Sequence, residues 1–382
     1  MDGSEENTTP IEGFISPAKN EFESEESKTL SFVVTNTSDQ DVKVLTWYTP
    51  LEGFVNGHDE NPIESPCLLV TNNGEVVEYD GKLKKRQPIP PEEAYVTLGA
   101  GESLSVDFDV NQAYQVSIPG EYSVAFVGKP DSEEGSIEFK YVSDSAGEDE
   151  ENAAPREQKL GMPEANFTVK GSPEGEAGEA PQATRPTQGD LMRAGESVEG
   201  SQPDEKKDEA PASTGETAGA KAPIIVGEPS EQRKQETITA HNDGYGLVVA
   251  TLAALGDNPN FLEWFGIFDT PRFDGVVNNY TVIRDTMQTT TFTYNLSGDG
   301  CDPGVFAYTF KGATTVWMCG AFWQALPLGT DSKAGTVVHE LSHSIVRTDD
   351  IVYGQSRCRQ LALSNPVQAV KNADSHEYFS GG

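Results

Sequence analysis

The chain has 382 residues, and 62 acidic side chains outnumber 27 basic ones to give a formal charge of −35 at pH 7. This length is enough for two or three domains. The negative charge argues against nucleic acid as a partner, because phosphate binding needs a basic surface. The sequence contains no apolar run of 18 residues, so no membrane span is predicted.

Residues 1–140 are predicted to form an all-β domain. Residues 104–110 alternate strictly between apolar and polar side chains, and residues 30–36, 42–48 and 120–127 have the composition of strands. Turns rich in Gly, Pro and Asn separate these segments, a pattern typical of an antiparallel, Ig-like sandwich. The first residues lack the basic start and apolar core of an export signal. We therefore expect either a cytosolic protein or one whose signal has been removed.

Residues 141–221 are rich in Glu, Gly, Ala, Pro, Ser and Thr and poor in apolar side chains. Such a segment cannot bury enough surface to offset the entropy lost on ordering, so we predict a disordered acidic linker. One more strand is possible in residues 162–169.

Residues 222–382 are predicted to form an α+β domain of ordinary size. Apolar residues at helical spacing predict helices at 238–255, 271–291, 336–346 and 355–364. Residues 290–295 and 305–318 have the pattern of strands.

The four cysteines do not form a C-x-x-C pair, which argues against a cysteine zinc site. Cys301 and Cys319 flank the segment 305–318, and a hairpin there would bring them together. We therefore predict a disulfide, which favours an oxidising compartment; two buried thiols are the alternative. Cys67 and Cys358 have no evident partner.

The most specific signal is the motif His339-Glu340-Leu341-Ser342-His343. On a helix, residues four positions apart share a face, so two imidazoles at this spacing can bind one Zn²⁺. The glutamate beside the first histidine can act on a water molecule. The alternative is a surface helix with two solvated histidines.

A catalytic zinc site needs a third protein ligand. No further histidine follows closely, which excludes the metzincin pattern. Asp349 and Asp350 are the nearest carboxylates, and spacing alone leaves Glu377 open as well.

Residues 347–354 read R-T-D-D-I-V-Y-G. Together with the histidine motif, this segment resembles the aspzincins, the family of deuterolysin and peptidyl-Lys metalloendopeptidase. The family's pattern at the corresponding position is G-T-x-D-x-x-Y-G. Arg347 replaces the family's first glycine. Further similar segments are 319–323, 329–336 and 372–379. The resemblance implies a zincin-like fold and selects Asp350 as the third zinc ligand beside His339 and His343. It also implies that Glu340 is the general base and that the Tyr353 phenol stabilises the oxyanion.

The same resemblance implies a substrate preference. In Lys-specific members, the acids of N-A-D-x-x-E-Y-F line the pocket for the residue after the scissile bond, and they correspond to Asp374 and Glu377. Cleavage on the amino side of Lys is therefore expected. The alternative is that these acids cap a helix or face solvent.

The N-terminal region resembles the propeptides of bacterial aspzincins at residues 49–53 and 79–86. An inhibitory prodomain is implied, and a generic adhesion-like sandwich is the alternative. Residues 82–86 form the only dense basic run, and we hypothesise that it blocks the acidic pocket. Cleavage before Lys221 would release the C-terminal domain.

The sequence thus predicts a secreted, monomeric zinc metalloendopeptidase made as a zymogen. Its expected partners are peptide or protein substrates and its own prodomain in cis. A broad-specificity, deuterolysin-like peptidase and a catalytically silent surface-binding protein are the alternatives.

Overall fold

A computed structural model describes residues 10–57, 63–129, 134–142, 154–171 and 219–381. Most of the predicted linker, residues 143–153 and 172–218, lies outside the described residues. The described residues up to 171 and from 220 onward belong to one compact unit.

The N-terminal region is all-β, as predicted. Its elements are β1 (Ile11–Pro17), β2 (Glu21–Glu23), β3 (Thr29–Asn36), β4 (Val42–Leu45), the short helix α1 (Leu51–Val55), β5 (Leu68–Asn72), β6 (Glu75–Val77), β7 (Leu83–Arg86), β8 (Tyr95–Leu98), β9 (Ser103–Asp109), β10 (Gly120–Phe126), β11 (Ser136–Tyr141), β12 (Arg156–Lys159) and β13 (Ala165–Lys170). Apart from β7, the strands form three sheets with the orders β1-β3-β9, β2-β13-β10-β5-β6 and β12-β11-β4-β8. Alternate residues of β3 are buried, because successive side chains of a strand point to opposite faces.

The predicted start of the linker at residue 141 is too early. Strand β13 pairs with β10, and Phe167 stacks on Tyr122 with ring centroids 5.5 Å apart. Ala165, Phe167 and Val169 are buried at alternate positions, which is enough apolar surface to add a strand to the sheet. The N-terminal region therefore extends to about residue 170.

The C-terminal region mixes helices and strands, as predicted. Its elements are β14 (Ile224–Val226), α2 (Glu231–Ala254), α3 (Pro259–Phe265), α4 (Thr270–Thr289), β15 (Thr293–Asn295), β16 (Val305–Thr309), β17 (Thr315–Met318), α5 (Gly320–Gln324), α6 (Lys333–Val346), α7 (Gln355–Ser364), α8 (Pro366–Lys371) and α9 (Ala373–Phe379). Helix α6 carries the histidine motif. It begins where the Ser332 side chain accepts the Gly335 N–H at 3.0 Å, and it ends at Arg347, whose φ is +60°.

The predicted segment 305–318 is a hairpin of β16 and β17, and the disulfide between Cys301 and Cys319 is confirmed. The two Cα atoms lie 5.4 Å apart. Cys67 and Cys358 are buried free thiols. Within the described ranges, no helix is long and apolar enough to cross a bilayer.

One strand of the C-terminal sheet comes from the N-terminal region. The order of this sheet is β14-β15-β17-β16-β7, and β7 pairs antiparallel with β16. Lys84 lies opposite Tyr308, and Lys85 lies opposite Ala307. Lys84, Lys85 and Arg86 are at most 1% exposed, so three consecutive cations are buried where the two regions meet.

Candidate active site

Helix α6 brings the two motif histidines together inside the protein. The Nε2 atoms of His339 and His343 lie 3.1 Å apart, and both rings are fully buried. The alternative of two solvated surface histidines is therefore wrong. The helix is buried because its apolar residues Val337, Val338 and Leu341 pack into the core of the C-terminal region.

Asp350 is the carboxylate that reaches the Nε2 atoms of both imidazoles. Its Oδ1 lies 3.1 Å from Nε2 of His339 and 3.2 Å from Nε2 of His343. The neighbouring Asp349 turns outward, where its side chain is 39% exposed and pairs with Lys311 at 2.5 Å. Three donor atoms thus converge on one point from α6 and the loop that follows it.

Groups behind the rings set which imidazole nitrogen carries a proton. Nδ1 of His343 lies 2.8 Å from the carbonyl oxygen of Thr348, which can only accept, so this Nδ1–H donates. Nδ1 of His339 lies 2.8 Å from Oδ1 of Asp374. Both arrangements leave the Nε2 lone pairs directed at the point shared with Asp350, as in metal-binding histidines.

The two carboxylates of the site have opposite pKa shifts. Burial would raise the pKa of Asp350, but the adjacent His343 and His339 lower it well below its usual range. Burial raises the pKa of Glu340 to about 7, against the lowering effect of the two histidines. The same site therefore contains a firmly ionised carboxylate and one whose pKa is suited to proton transfer near neutral pH.

Asn372 holds the loop that carries Asp350 and Tyr353. Its Oδ1 accepts the N–H groups of Ile351 at 3.0 Å and Val352 at 2.9 Å. Sequence reasoning matched this asparagine to the family pattern but gave it no role. The feature of the sequence that could have indicated a role for Asn372 is its position at the start of the segment that also contains Asp374 and Glu377.

Strand β7 lies across the site with its backbone hydrogen-bonded to the site residues. The N–H of Lys84 donates to Oδ2 of Asp350 at 2.8 Å, and the N–H of Lys85 donates to Oε1 of Glu340 at 3.3 Å. The phenol of Tyr353 donates to the carbonyl oxygen of Lys84. The peptide bond between Lys84 and Lys85 therefore lies between the Tyr353 hydroxyl and the Glu340 carboxylate.

The side chain of Lys85 occupies an acidic pocket. Its Nζ lies 2.5 Å from Glu377, 3.0 Å from Asp331 and 3.7 Å from Asp374. Burial lowers the pKa of Lys85, but these carboxylates outweigh it and leave that pKa above the usual value. The rings of Phe306 and Tyr378 lie 5.1 and 5.8 Å from the ammonium.

Asp331 was not assigned to this pocket from the sequence. It lies in the segment 329–336, which resembles the family, but nothing in that pattern links it to Asp374 more than 40 residues away. The described structure adds it to the two predicted pocket acids through its contact with Lys85.

The side chains on either side of Lys85 contact acids of the N-terminal region. Lys84 lies 3.2 Å from Glu52 and 2.7 Å from Glu64, and Arg86 lies 2.7 Å from Glu52. Side chains of a strand alternate between its two faces. Lys85 therefore faces the acidic pocket, whereas Lys84 and Arg86 face buried glutamates outside it.

A family model described as Lysine-specific metallo-endopeptidase, Aspzincin_M35, matches residues 250–381. Peptidyl-Lys metalloendopeptidase of Pleurotus ostreatus is 43% identical over 127 residues, which cover 31% of this chain and 71% of that protein. The chain belongs to the aspzincin family. It is a zinc metalloendopeptidase, and all the site residues on α6 and the following loop lie within the matched range.

This aspzincin is also similar to an extracellular protease of Aeromonas hydrophila, with 29% identity over 359 residues. That alignment covers 92% of this chain and 87% of the relative, so it includes the N-terminal region. Among solved structures, a zinc peptidase from Grifola frondosa is 35% identical and covers 40% of this chain and 96% of that chain, with a TM-score of 0.37.

Proposed function

We propose that this aspzincin is a secreted endopeptidase that cleaves on the amino side of Lys and is made as a zymogen. The observation that carries the proposal is the position of Lys85. Its ammonium lies among three carboxylates, while its amide lies against Glu340. The chain's own strand occupies the cleft in the way that we expect of a substrate.

We assign His339, His343 and Asp350 as the zinc ligands. Tetrahedral ligands at about 2.0 Å from zinc lie roughly 3.3 Å from one another. The three donor atoms here lie 3.1, 3.1 and 3.2 Å apart, which fits. One carboxylate and two neutral imidazoles are also a donor set that zinc accepts. When bound, zinc would supply a water of lowered pKa, near about 7, and would polarise the substrate carbonyl.

Glu340 and Tyr353 have the positions that peptide hydrolysis requires. We propose that Glu340 takes a proton from the attacking water and passes it to the leaving amine. Its Oε1 lies 3.3 Å from the Lys85 nitrogen, the atom that would leave if this strand were substrate. The Tyr353 hydroxyl, which donates to the Lys84 carbonyl oxygen, would stabilise the negative charge that develops on that oxygen.

The acidic pocket supports a preference for Lys in the position after the scissile bond. Asp374 and Glu377, together with Asp331, would form charge-assisted hydrogen bonds with an incoming ammonium. A neutral side chain in this pocket would leave carboxylates desolvated without a counter-charge, which is costly. The preference for Lys would therefore come as much from the free-energy cost of placing a neutral side chain in the pocket as from the attraction between the acids and the ammonium.

The N-terminal region, as far as about residue 170, is proposed to be an inhibitory prodomain with an Ig-like sandwich. Its strand β7 occupies the substrate cleft, and Glu52 and Glu64 hold the side chains on either side of Lys85. Residues from about 171 to 221 are proposed to link it to the catalytic domain, residues 222–382. Cleavage of this link, for example before Lys221, would begin maturation. The extracellular relative supports secretion.

The activated enzyme should be incubated with a denatured protein, and the new amino termini should be read by mass spectrometry. We expect Lys as the first residue of the new peptides and loss of cleavage with a zinc chelator. Cuts without preference for Lys would favour the deuterolysin-like alternative. No cuts by a zinc-loaded, processed sample would reject the enzymatic proposal for this chain.

A further inference from the structure

Acidic side chains surround Lys84 of β7, as they surround its neighbour Lys85. If the proposed function is correct, Lys84 occupies the position before the scissile bond, because its carbonyl oxygen contacts Tyr353. The inference below rests on that assignment. The Lys84 side chain is 1% exposed and points away from the pocket that holds Lys85.

Three carboxylates surround the Lys84 ammonium. Glu52 and Glu64 lie 3.2 and 2.7 Å from it, and Asp302 contacts it directly. Burial lowers the pKa of Lys84, but these acids more than offset that effect and raise it above the usual value. Glu52 and Glu64 belong to the N-terminal region, whereas Asp302 lies within residues 250–381, which match the peptidase family.

Asp302 is held in place by the fold of the catalytic region. It follows Cys301, whose disulfide with Cys319 joins it to the end of β17. Its carbonyl oxygen accepts the N–H of Val305 at 3.3 Å, so it lies directly before β16, the strand that pairs with β7. The backbone therefore places the Asp302 carboxylate at the edge where any substrate strand would pair.

We propose that Asp302 forms an acidic subsite for the residue before the scissile bond. Once the N-terminal region leaves, Glu52 and Glu64 leave with it, and Asp302 remains. A basic side chain in that position would then form a charge-assisted hydrogen bond with Asp302. The enzyme would prefer Lys-Lys and Arg-Lys bonds to bonds in which an apolar residue precedes Lys.

The test compares two peptides that differ only in the residue before the scissile bond, Ala-Ala-X-Lys-Ala-Ala with X as Lys or norleucine. Norleucine has the same four-carbon side chain without the ammonium. Enzyme activated from the full chain is assayed, and mass spectrometry identifies the products cut at the X–Lys bond. We expect kcat/KM to be about tenfold higher with Lys, the size of effect given by one charge-assisted hydrogen bond.

Two variants test whether Asp302 causes the preference. Asp302→Asn should bring the ratio of the two kcat/KM values close to one. Asp299→Asn removes a charge from an exposed residue of the same loop and should keep the ratio. Equal cleavage of both peptides by the unmodified enzyme, or a preference that persists in Asp302→Asn, would overturn the proposal. The comparison of peptides on the unmodified enzyme stands even if a variant does not fold.

Failure of the proposed function has a different result. In that case neither peptide would be cut at the X–Lys bond in preference to its Ala–Ala bonds, and this inference would be overturned together with it. Cleavage at that bond at equal rates with both peptides would overturn the Asp302 subsite and leave the proposed Lys specificity standing.

Discussion

The substitution Lys85→Met in the uncleaved chain tests the inhibitory role of β7. Methionine keeps much of the length of lysine but has no charge, so Glu377, Asp331 and Asp374 would lose their counter-ion. Removing one partner of a buried ion pair costs about 3–5 kcal/mol. Since about 1.4 kcal/mol corresponds to a factor of ten, β7 should leave the cleft about 10²–10⁴ times more readily.

The assay measures the initial rate on a quenched-fluorescence peptide containing one Lys. Lys206, Lys207 and Lys221 are replaced by Gln in every sample, so that Lys-directed cleavage of the proposed linker is blocked. We expect the Lys85→Met chain to be active at up to the level of the processed enzyme, while the chain with Lys85 remains nearly silent. The intact mass at the end of the assay confirms that the chain stayed uncut.

Lys82→Met is the matched control. It removes a charge from the same basic run, but Lys82 pairs with Glu64 at 2.8 Å and does not enter the pocket. This variant should stay as inhibited as the parent chain. Equal activity of the two variants would show that loss of any charge near β7 loosens the N-terminal region. An inactive but folded and zinc-loaded Lys85→Met chain would refute the inhibitory role of Lys85.

Three further predictions concern the catalytic residues, each tested on processed enzyme. Glu340→Gln should bind as much zinc as the parent, measured by elemental analysis. Its kcat should fall about 10²–10⁴-fold, as expected for removal of a general base. Substantial remaining turnover would show that another group transfers the proton. Asp350→Asn should lose stoichiometric zinc, whereas Asp349→Asn should keep it, because Asp350 and not Asp349 reaches the Nε2 atoms of the two histidines. Equal metal content in both variants would contradict the ligand assignment. Tyr353→Phe should lower kcat about 10²–10³-fold with little change in KM, since an oxyanion donor acts mainly in the transition state; a change in KM alone would indicate a role in binding.

Local patterns in the sequence were sufficient for the longer helices and for several of the strands, but not for the short elements. Helix α6 was predicted at residues 336–346 and runs over Lys333–Val346, because its apolar residues repeat at helical spacing. The strictly alternating segment 104–110 corresponds to β9 (Ser103–Asp109). The disulfide followed from hairpin geometry, since residues on either side of a hairpin meet at its open end.

The pairing of β7 with β16 could not be derived from local patterns. Strand β7 is four residues long, and three of them are cations that would ordinarily be assigned to the surface. These residues are buried only because carboxylates from distant parts of the chain converge on them, among them Glu52, Asp331 and Glu377. The hypothesis that the basic run at residues 82–86 blocks the acidic pocket rested on opposite charge alone. Opposite charge indicated that the run and the pocket meet, but it did not indicate which residue of β7 lies opposite which residue of β16.

The arrangement of charges along β7 would account for the proposed inhibition by a bound, substrate-like strand. The proposed scissile bond lies between Lys84 and Lys85, and the residues on both sides of it are tied to the N-terminal region. Lys84 contacts Glu52 and Glu64, and Arg86 contacts Glu52. Hydrolysis of this bond would leave one new end held through Lys84 and the other held through Arg86. A single cut at this bond would therefore leave both new ends bound to the N-terminal region, and hydrolysis alone would not empty the cleft.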